Sequence, residues 1–237
     1  MIIRRLTSSL QLITQPDHAA LAARIIEQWK ADQFPDSPRQ SSILRATEQH
    51  DNGWEEFDQT LVLDATGQLL DFIAVSDAVK RETSSRGIDQ LHADPYAAAL
   101  VAQHRLHVYR RYVEDSSWRS FFEDVTAARD TYLRASGVDA LDQLLSDYRF
   151  VRAGDLASLA FCNNWPDVDR GECGYAMRLD GTTLTMMPDP FAGTTIEIAI
   201  GAREIPIQPF DSLAAAQRAV SNAPTITLVG VVRGVAG

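Results

Sequence analysis

Apolar residues recur at helical spacing through the first two thirds of the chain and alternate with polar ones in the last third. "IIRRL" and "LQLIT" flank the polar turn Thr7-Ser8-Ser9 and predict a short N-terminal β-hairpin. The period then becomes that of a helix. Thr14 is placed to cap it, Pro16 is tolerated in the first turn, and Asp17 stands close to a capping-box position. In "HAALAARIIEQWK", His18, Ala22, Ile25 and Trp29 share one face. A second helix is expected in "SPRQSSILRATEQHD", with Ser37 as cap, Pro38 at the first helical position and Gln40 completing an S-x-x-Q box. Ile43, Thr47 and His50 share its face, and Asn52-Gly53 tolerates the left-handed conformation that stops a helix. Asp94-Pro95 opens a third helix, whose apolar arc holds Ala97, Leu100, Val101, His104 and Val108, with His107 at the edge. A fourth covers "SSWRSFFEDVTAARDTYLRAS" and stops at Gly137. A fifth runs from about Val138 to Cys162; its second half, "FVRAGDLASLAFC", is apolar nearly all round, which predicts a buried helix with Asp155 in its middle. Residues 59–93 give no decisive pattern, and "KRETSSRGIDQ" has the composition of a loop.

After Pro166 the period falls to two. "GYAMRLDGTTLTMM" reads as two strands about Asp180-Gly181, "TTIEIAI" and "REIPIQ" alternate about Gly201, "FDSLAAAQRAVSN" is a short helix, and "TITLVGVV" closes the pattern. The expected fold is mainly α: a helical bundle over residues 1–165, which include the N-terminal hairpin, with a small β-rich appendage over 166–237 packed on the same domain. A chain of 237 residues with 45% hydrophobic and 23% charged content is ordinary for a soluble globular protein. The formal net charge of −10 argues against a nucleic-acid polymer as partner, though a local cation can still attract a small anion. No segment has the apolar length of a membrane span, and Arg4 and Arg5 break the N-terminal run short of a signal segment, so the expected location is the cytoplasm. Cys162 and Cys173 lie in no C-x-x-C pair, which argues against a disulfide framework and against a thiolate zinc site.

The candidate chemistry sits on the predicted core faces. His18, His50 and His104 occupy such faces on three separate helices. A buried Asp155 is costly by several kcal/mol unless compensated, either by an arginine such as Arg152 or a hydroxyl, or by a divalent cation. His50 and Asp51 are adjacent and diverge by about 100° on a helix, yet both can reach a cation lying between them. His18 and Asp155 would complete four ligands. Such a nitrogen–oxygen set suits Fe, Mn, Zn or a similar divalent ion.

The order H…HD…D, with each element on a different helix, resembles the HD-domain superfamily of metal-dependent phosphohydrolases. "QPDHAALA" carries His18, "EQHDNGW" carries His50 and Asp51, "VAQHRLH" carries His104, and "VRAGDLASL" carries Asp155 in a segment similar to the superfamily's D-x-x-S. More closely, "LITQPDHAALA", "HDNGWEEFD" and "GDLASLAFC" are similar to an uncharacterised bacterial domain-of-unknown-function family that is itself HD-like. The resemblance implies an HD-like helical core with His18, His50, Asp51 and Asp155 as metal ligands. Asp51 and His104 are the candidate catalytic residues. The implied reaction is hydrolysis of a small phosphorylated molecule by a metal-activated water. His104, with His92 or His107, is the candidate ligand for a second ion. Lys80, Arg81, Arg86 and Arg105 are candidates for a phosphate clamp. The alternatives are a di-iron oxygenase-like enzyme and a non-catalytic metal- or ligand-binding module. Trp54 is expected to be a packed aromatic, and Glu55, Glu56 and Asp58 a solvated acidic turn.

Overall fold

The computed structural model describes residues 1–138 and 140–236, so position 139, at the start of the expected fifth helix, lies outside the described residues. Two strands, β1 (Ile2–Arg5) and β2 (Ser9–Ile13), form the hairpin, and α1 (Gln15–Glu27) follows at once, its Thr14 side chain accepting from the Asp17 N–H. The next helix, α2 (Gln40–Gln49), starts later than Ser37; Ser37 and Pro38 belong to the turn before it. The chain does not stop at Asn52-Gly53 either. It turns through Asn52–Trp54 into α3 (Glu55–Thr60), and neither Asn52 nor Gly53 is left-handed. Gly53 is required for another reason: a Cβ there would lie 2.0 Å from the Thr83 carbonyl oxygen, so the missing side chain lets this turn pack directly on α4 (Asp77–Asp89).

That fourth helix contains the segment expected as loop. Its buried face is Lys80, Thr83, Ser84, Gly87 and Ile88, nearly all polar or small, so no hydrophobic period marks it. Ser76 caps it, and Thr83 and Ser84 return their hydroxyls to the Lys80 carbonyl. The helices α5 (Pro95–Val108), α6 (Arg119–Ala135) and α7 (Leu141–Asn163) follow. Asp94 caps α5 through the Ala97 N–H, and Gly137 takes a left-handed φ of 75° after α6. An unbroken run from Ala153 to Cys162 is buried, because α7 packs against α1, α2 and α5 and also against the sheet.

The remaining strands are β3 (Asp167–Val168), β4 (Ala176–Asp180), β5 (Thr183–Met187), β6 (Thr195–Pro206) and β7 (Thr225–Gly234), with α8 (Leu213–Asn222) between the last two. Here the expected fold class is corrected. These strands do not form a small appendage on a mainly α bundle. They join the hairpin in one seven-stranded sheet, ordered β1-β2-β6-β7-β5-β4-β3, which curls into a half-barrel; about 51% of the chain is helical. All neighbours are antiparallel except β5 and β7. The join is the pairing of β2 with β6, in which Leu10 lies opposite Ile205 and Leu12 opposite Arg203. β6 itself runs straight through Gly201.

One apolar core fills the space between helices and sheet, with Ile13, Met177, Leu184, Ile198 and Ile200 meeting Ile25, Leu156 and Phe161. A smaller one, with Leu10, Leu12, Ile205 and Phe210, lies under α8 and the 61–69 segment. No helix among the described residues is long and apolar enough to cross a membrane.

Candidate metal centre

The centre lies where α1, the end of α2, α5 and α7 meet. Gly154 brings α7 close: a Cβ there would meet Ile26 Cγ1 at 2.8 Å, Thr47 Cγ2 at 3.0 Å and the Ala22 carbonyl oxygen at 3.2 Å. The next residue is Asp155. His18, His50, Asp51, His104 and Asp155 are all buried and face one another. The His50 ring stands 4.9 Å from those of His18 and His104, close to edge-on to both.

Hydrogen bonds fix which nitrogen faces inward. His50 Nδ1 lies 2.7 Å from the Thr47 carbonyl, which can only accept, so Nδ1 carries a proton. Nε2 then holds the lone pair of the neutral ring. It lies 3.3 Å from Asp155 Oδ1 and 3.8 Å from Asp51 Oδ2, and it is buried without a hydrogen-bond partner. His18 repeats the arrangement. Its Nδ1 is 3.0 Å from Ser158 Oγ, whose single proton goes to the Asp155 carbonyl at 2.9 Å, so Ser158 accepts from His18. His18 Nε2 therefore turns its lone pair on Asp51 Oδ2, 2.8 Å away. His104 has Nδ1 at 3.2 Å from the Tyr148 hydroxyl and Nε2 at 4.0 Å from Asp155 Oδ2. Lone pairs facing carboxylates repel unless a positive charge lies among them.

That charge is either protons on the rings or a bound cation. Burial opposes charging His50, but Asp51 and Asp155 outweigh it and raise its pKa. Burial likewise penalises the Asp51 carboxylate, yet Arg105, with His50 and His18, holds its pKa well below the usual range. For Asp155, burial is again opposed and overcome, by His50, His104 and Arg152. Burial keeps the His104 pKa well below its ordinary value. Two sets, His18–His50–Asp51 and His50–His104–Asp155, place one ligand atom from each residue within 4.8 Å of the others. Donors about 2.0–2.2 Å from one ion lie about 3.0–3.5 Å apart, close to the spacings seen. His50 has only one free lone pair, so both sets cannot each hold their own ion through it.

The arginine alternative is realised as well. Arg105, 2% exposed, donates to Asp51 Oδ1 at 2.8 Å and to the His50 carbonyl. Arg152 donates to Asp155 Oδ2 at 2.8 Å and to Glu172 at 2.8 Å. Asp51 thus gives Oδ1 to Arg105 and turns Oδ2 to His18 and His50, while Asp155 turns Oδ1 to His50 and gives Oδ2, the oxygen nearer His104, to Arg152.

Other expected residues are elsewhere. His92 is exposed, with Nδ1 near the Asp89 carbonyl, and His107 lies beside Glu172, outside the centre. Of the proposed clamp, Arg81 stacks over Trp118 and Arg86 pairs with Glu56 and Glu82. Arg105 is committed to Asp51. Lys80 lines a cavity of about 270 Å³ that adjoins Asp51, His104 and Asp155. Trp54 is buried in the same wall. Glu55 and Glu56 are exposed as expected, but Asp58 is buried and accepts from the Gln15 N–H. Tyr148, Arg111 and Trp165 were not singled out by sequence; the first follows Asp147 on the same face of α7 as Asp155, and the other two carry no motif.

A family described as proteins of unknown function, DUF3891, matches residues 1–207. The chain belongs to that family. The match takes in all five residues of the centre and the strands through β6. No curated protein and no solved structure matches the chain. Nothing in these comparisons links DUF3891 to the HD-domain superfamily.

Proposed function

We propose that this DUF3891 chain is a metal-dependent phosphohydrolase of HD type. His18, His50, Asp51 and Asp155 would hold a divalent transition ion such as Fe, Mn or Zn, with His104 beside them. The observation that carries this reading is the inward lone pair of His50, partnerless and faced by two carboxylates, with its outer nitrogen locked on a backbone carbonyl. Outer hydrogen bonds that orient imidazoles in this way are the usual support of metal ligands. When bound, the ion supplies a water of lowered pKa and an anchor for a phosphoryl oxygen. In the reaction, water adds to phosphorus and the ester P–O bond breaks, releasing an alcohol and phosphate. Asp51 and His104 border the adjoining cavity and are the chain's own candidates to contact water and substrate. The acidic chain supports a small-molecule substrate over a nucleic acid, and we take it to act in the cytoplasm with no membrane partner.

The test is metal analysis of untagged protein, followed by assay of the metal-loaded chain on phosphomonoesters and phosphodiesters. Metal-dependent phosphate release that fails in Asp51→Asn supports the reading; release that survives verified metal removal contradicts it. A second reading has its own observation. Arg105 and Arg152 already neutralise both aspartates, which favours a non-catalytic polar network or ligand-binding module. A chain that takes up no metal would select it. The di-iron oxygenase-like alternative requires a second ion, and the single free lone pair of His50 weighs against it.

A further inference from the structure

The cavity beside the centre has a composition that the metal reading does not explain. Its wall carries more cations than the local carboxylates use. Asp51 is satisfied by Arg105, and Asp155 by Arg152. Lys80, only 6% exposed, has its Nζ 3.4 Å from Asp77 Oδ1, whose other oxygen accepts from the Trp118 indole at 3.2 Å. Arg111 is exposed; it rests 4.8 Å over the Tyr112 ring, donates to the Tyr112 hydroxyl, and has no carboxylate partner among the described residues. The Nε atoms of Arg105 and Arg152 are buried without a partner. A buried, weakly paired lysine and an arginine with no carboxylate partner at one cavity mark a place where an anion would be bound.

The rest of the wall is aromatic. Trp54 comes from the turn directly after His50-Asp51, Tyr109 from the residue capping α5, and Trp165 from the residue after the left-handed Asn164 that ends α7. The Trp165 N–H bonds the Ala160 carbonyl at 2.9 Å, which fixes its backbone against the helix that carries Asp155. An inorganic anion needs no such rings. A flat apolar body does, and about 270 Å³ holds one small molecule rather than a polymer segment.

We propose that the cavity takes a small phosphomonoester with a flat aromatic body, its phosphoryl group held by Lys80 and Arg111 beside the histidine–aspartate centre and its ring packed among Trp54, Tyr109 and Trp165. The proposal rests on reading that centre as a phosphohydrolase site. Binding of phenyl phosphate and of glycerol phosphate, measured by titration calorimetry on the full chain with and without bound metal, tests it. Phenyl phosphate should bind at least tenfold more tightly than glycerol phosphate in both metal states. Arg111→Met, at an exposed position that should not affect folding, should weaken both ligands at least fivefold. Trp165→Leu should remove the advantage of the ring and leave glycerol phosphate unchanged. Equal affinities for the two esters, or an unchanged affinity in Arg111→Met, would overturn the proposal. A ring preference that persists while metal has no effect on either ligand supports the cavity and sinks the metal reading. Metal-dependent turnover with no ring preference does the reverse.

Discussion

Gly154→Ala sets two physical effects against each other. In the interior of an unencumbered helix, alanine is more stable than glycine by about 0.8–1 kcal/mol. In α7 the added methyl would lie 2.8 Å from Ile26 Cγ1, 3.0 Å from Thr47 Cγ2 and 3.2 Å from the Ala22 carbonyl oxygen. Carbon atoms in ordinary contact stand about 3.5–4.0 Å apart. All three neighbours are therefore too close, and one is backbone that cannot rotate away. Overpacking of this kind costs roughly 1–3 kcal/mol. The net expectation is a loss of about 0–2 kcal/mol, where propensity alone gives a gain. Relief of the clash must also move α7 away from α1 and α2, and Asp155 moves with it. Metal affinity should then fall more than stability does. Thr47→Ser removes the Cγ2 atom while keeping the hydroxyl that bonds Ile43, so the double variant should recover part of both losses. Urea denaturation of the metal-free chain and a metal titration give the two quantities. A variant more stable by about 1 kcal/mol, with wild-type metal affinity, would refute the claim that close packing at Gly154 positions Asp155.

The other expected outcomes follow from the same centre. Asp155→Asn should weaken metal binding at least tenfold; because Arg152 keeps Glu172 at 2.8 Å, the metal-free chain should lose less than the roughly 3–5 kcal/mol of a broken isolated buried pair, and unchanged metal affinity would contradict the ligand assignment. Ser158→Ala removes the acceptor that orients His18 and should cost about 10–100-fold in metal affinity by titration, with no effect if His18 is not a ligand. In the metal-free chain the raised pKa of His50 contributes stability that is complete below its unfolded value of about 6.5 and lost as pH rises through the folded value. The depressed pKa values of Asp51 and Asp155 contribute above about 3.9 and are lost as pH falls through their folded values. The depressed pKa of His104 opposes His50: its contribution is present above about 6.5 and lost as pH falls through its folded value. Thermal denaturation without metal should therefore show stability lost on the acid side as Asp51 and Asp155 are protonated, and the stabilisation by metal should grow as pH rises through the histidine range; a metal stabilisation that does not change with pH would contradict the ligand assignment.

The helices that build the centre were legible because their signals are local. Thr14 and Asp94 cap as their sequences suggest, and the face of α1 that holds His18 is buried through Trp29. His104 lies inward and His107 beside Glu172, as their positions on the apolar arc imply. The α4 helix is not legible because its buried side is Lys80, Thr83, Ser84, Gly87 and a single apolar Ile88, which carry no hydrophobic period. The fold class was wrong for a different reason. Alternation in "LQLIT" and in "TTIEIAI" marks strands, but the pairing of Leu10 with Ile205 joins residues from opposite ends of the chain and leaves no trace in either segment. Asn52-Gly53 reads as a conformational stop, whereas Gly53 serves a close contact with Thr83. Sequence placed Arg105 among phosphate ligands. Its guanidinium is instead spent on Asp51 and the His50 carbonyl, a role that depends on how α5 meets the end of α2.

The central claim is that His18, His50, Asp51 and Asp155 hold a divalent ion. Metal content of the untagged chain after equilibration with Mn, Fe or Zn, and of His50→Ala treated alike, tests it most directly. The account predicts a stoichiometric ion in the wild-type chain, accompanied by a rise in thermal stability, and loss of both in the variant. A wild-type chain that retains no ion and gains no stability from any of the three metals would contradict it, and would leave Arg105, Arg152 and a protonated His50 as the compensation of Asp51 and Asp155.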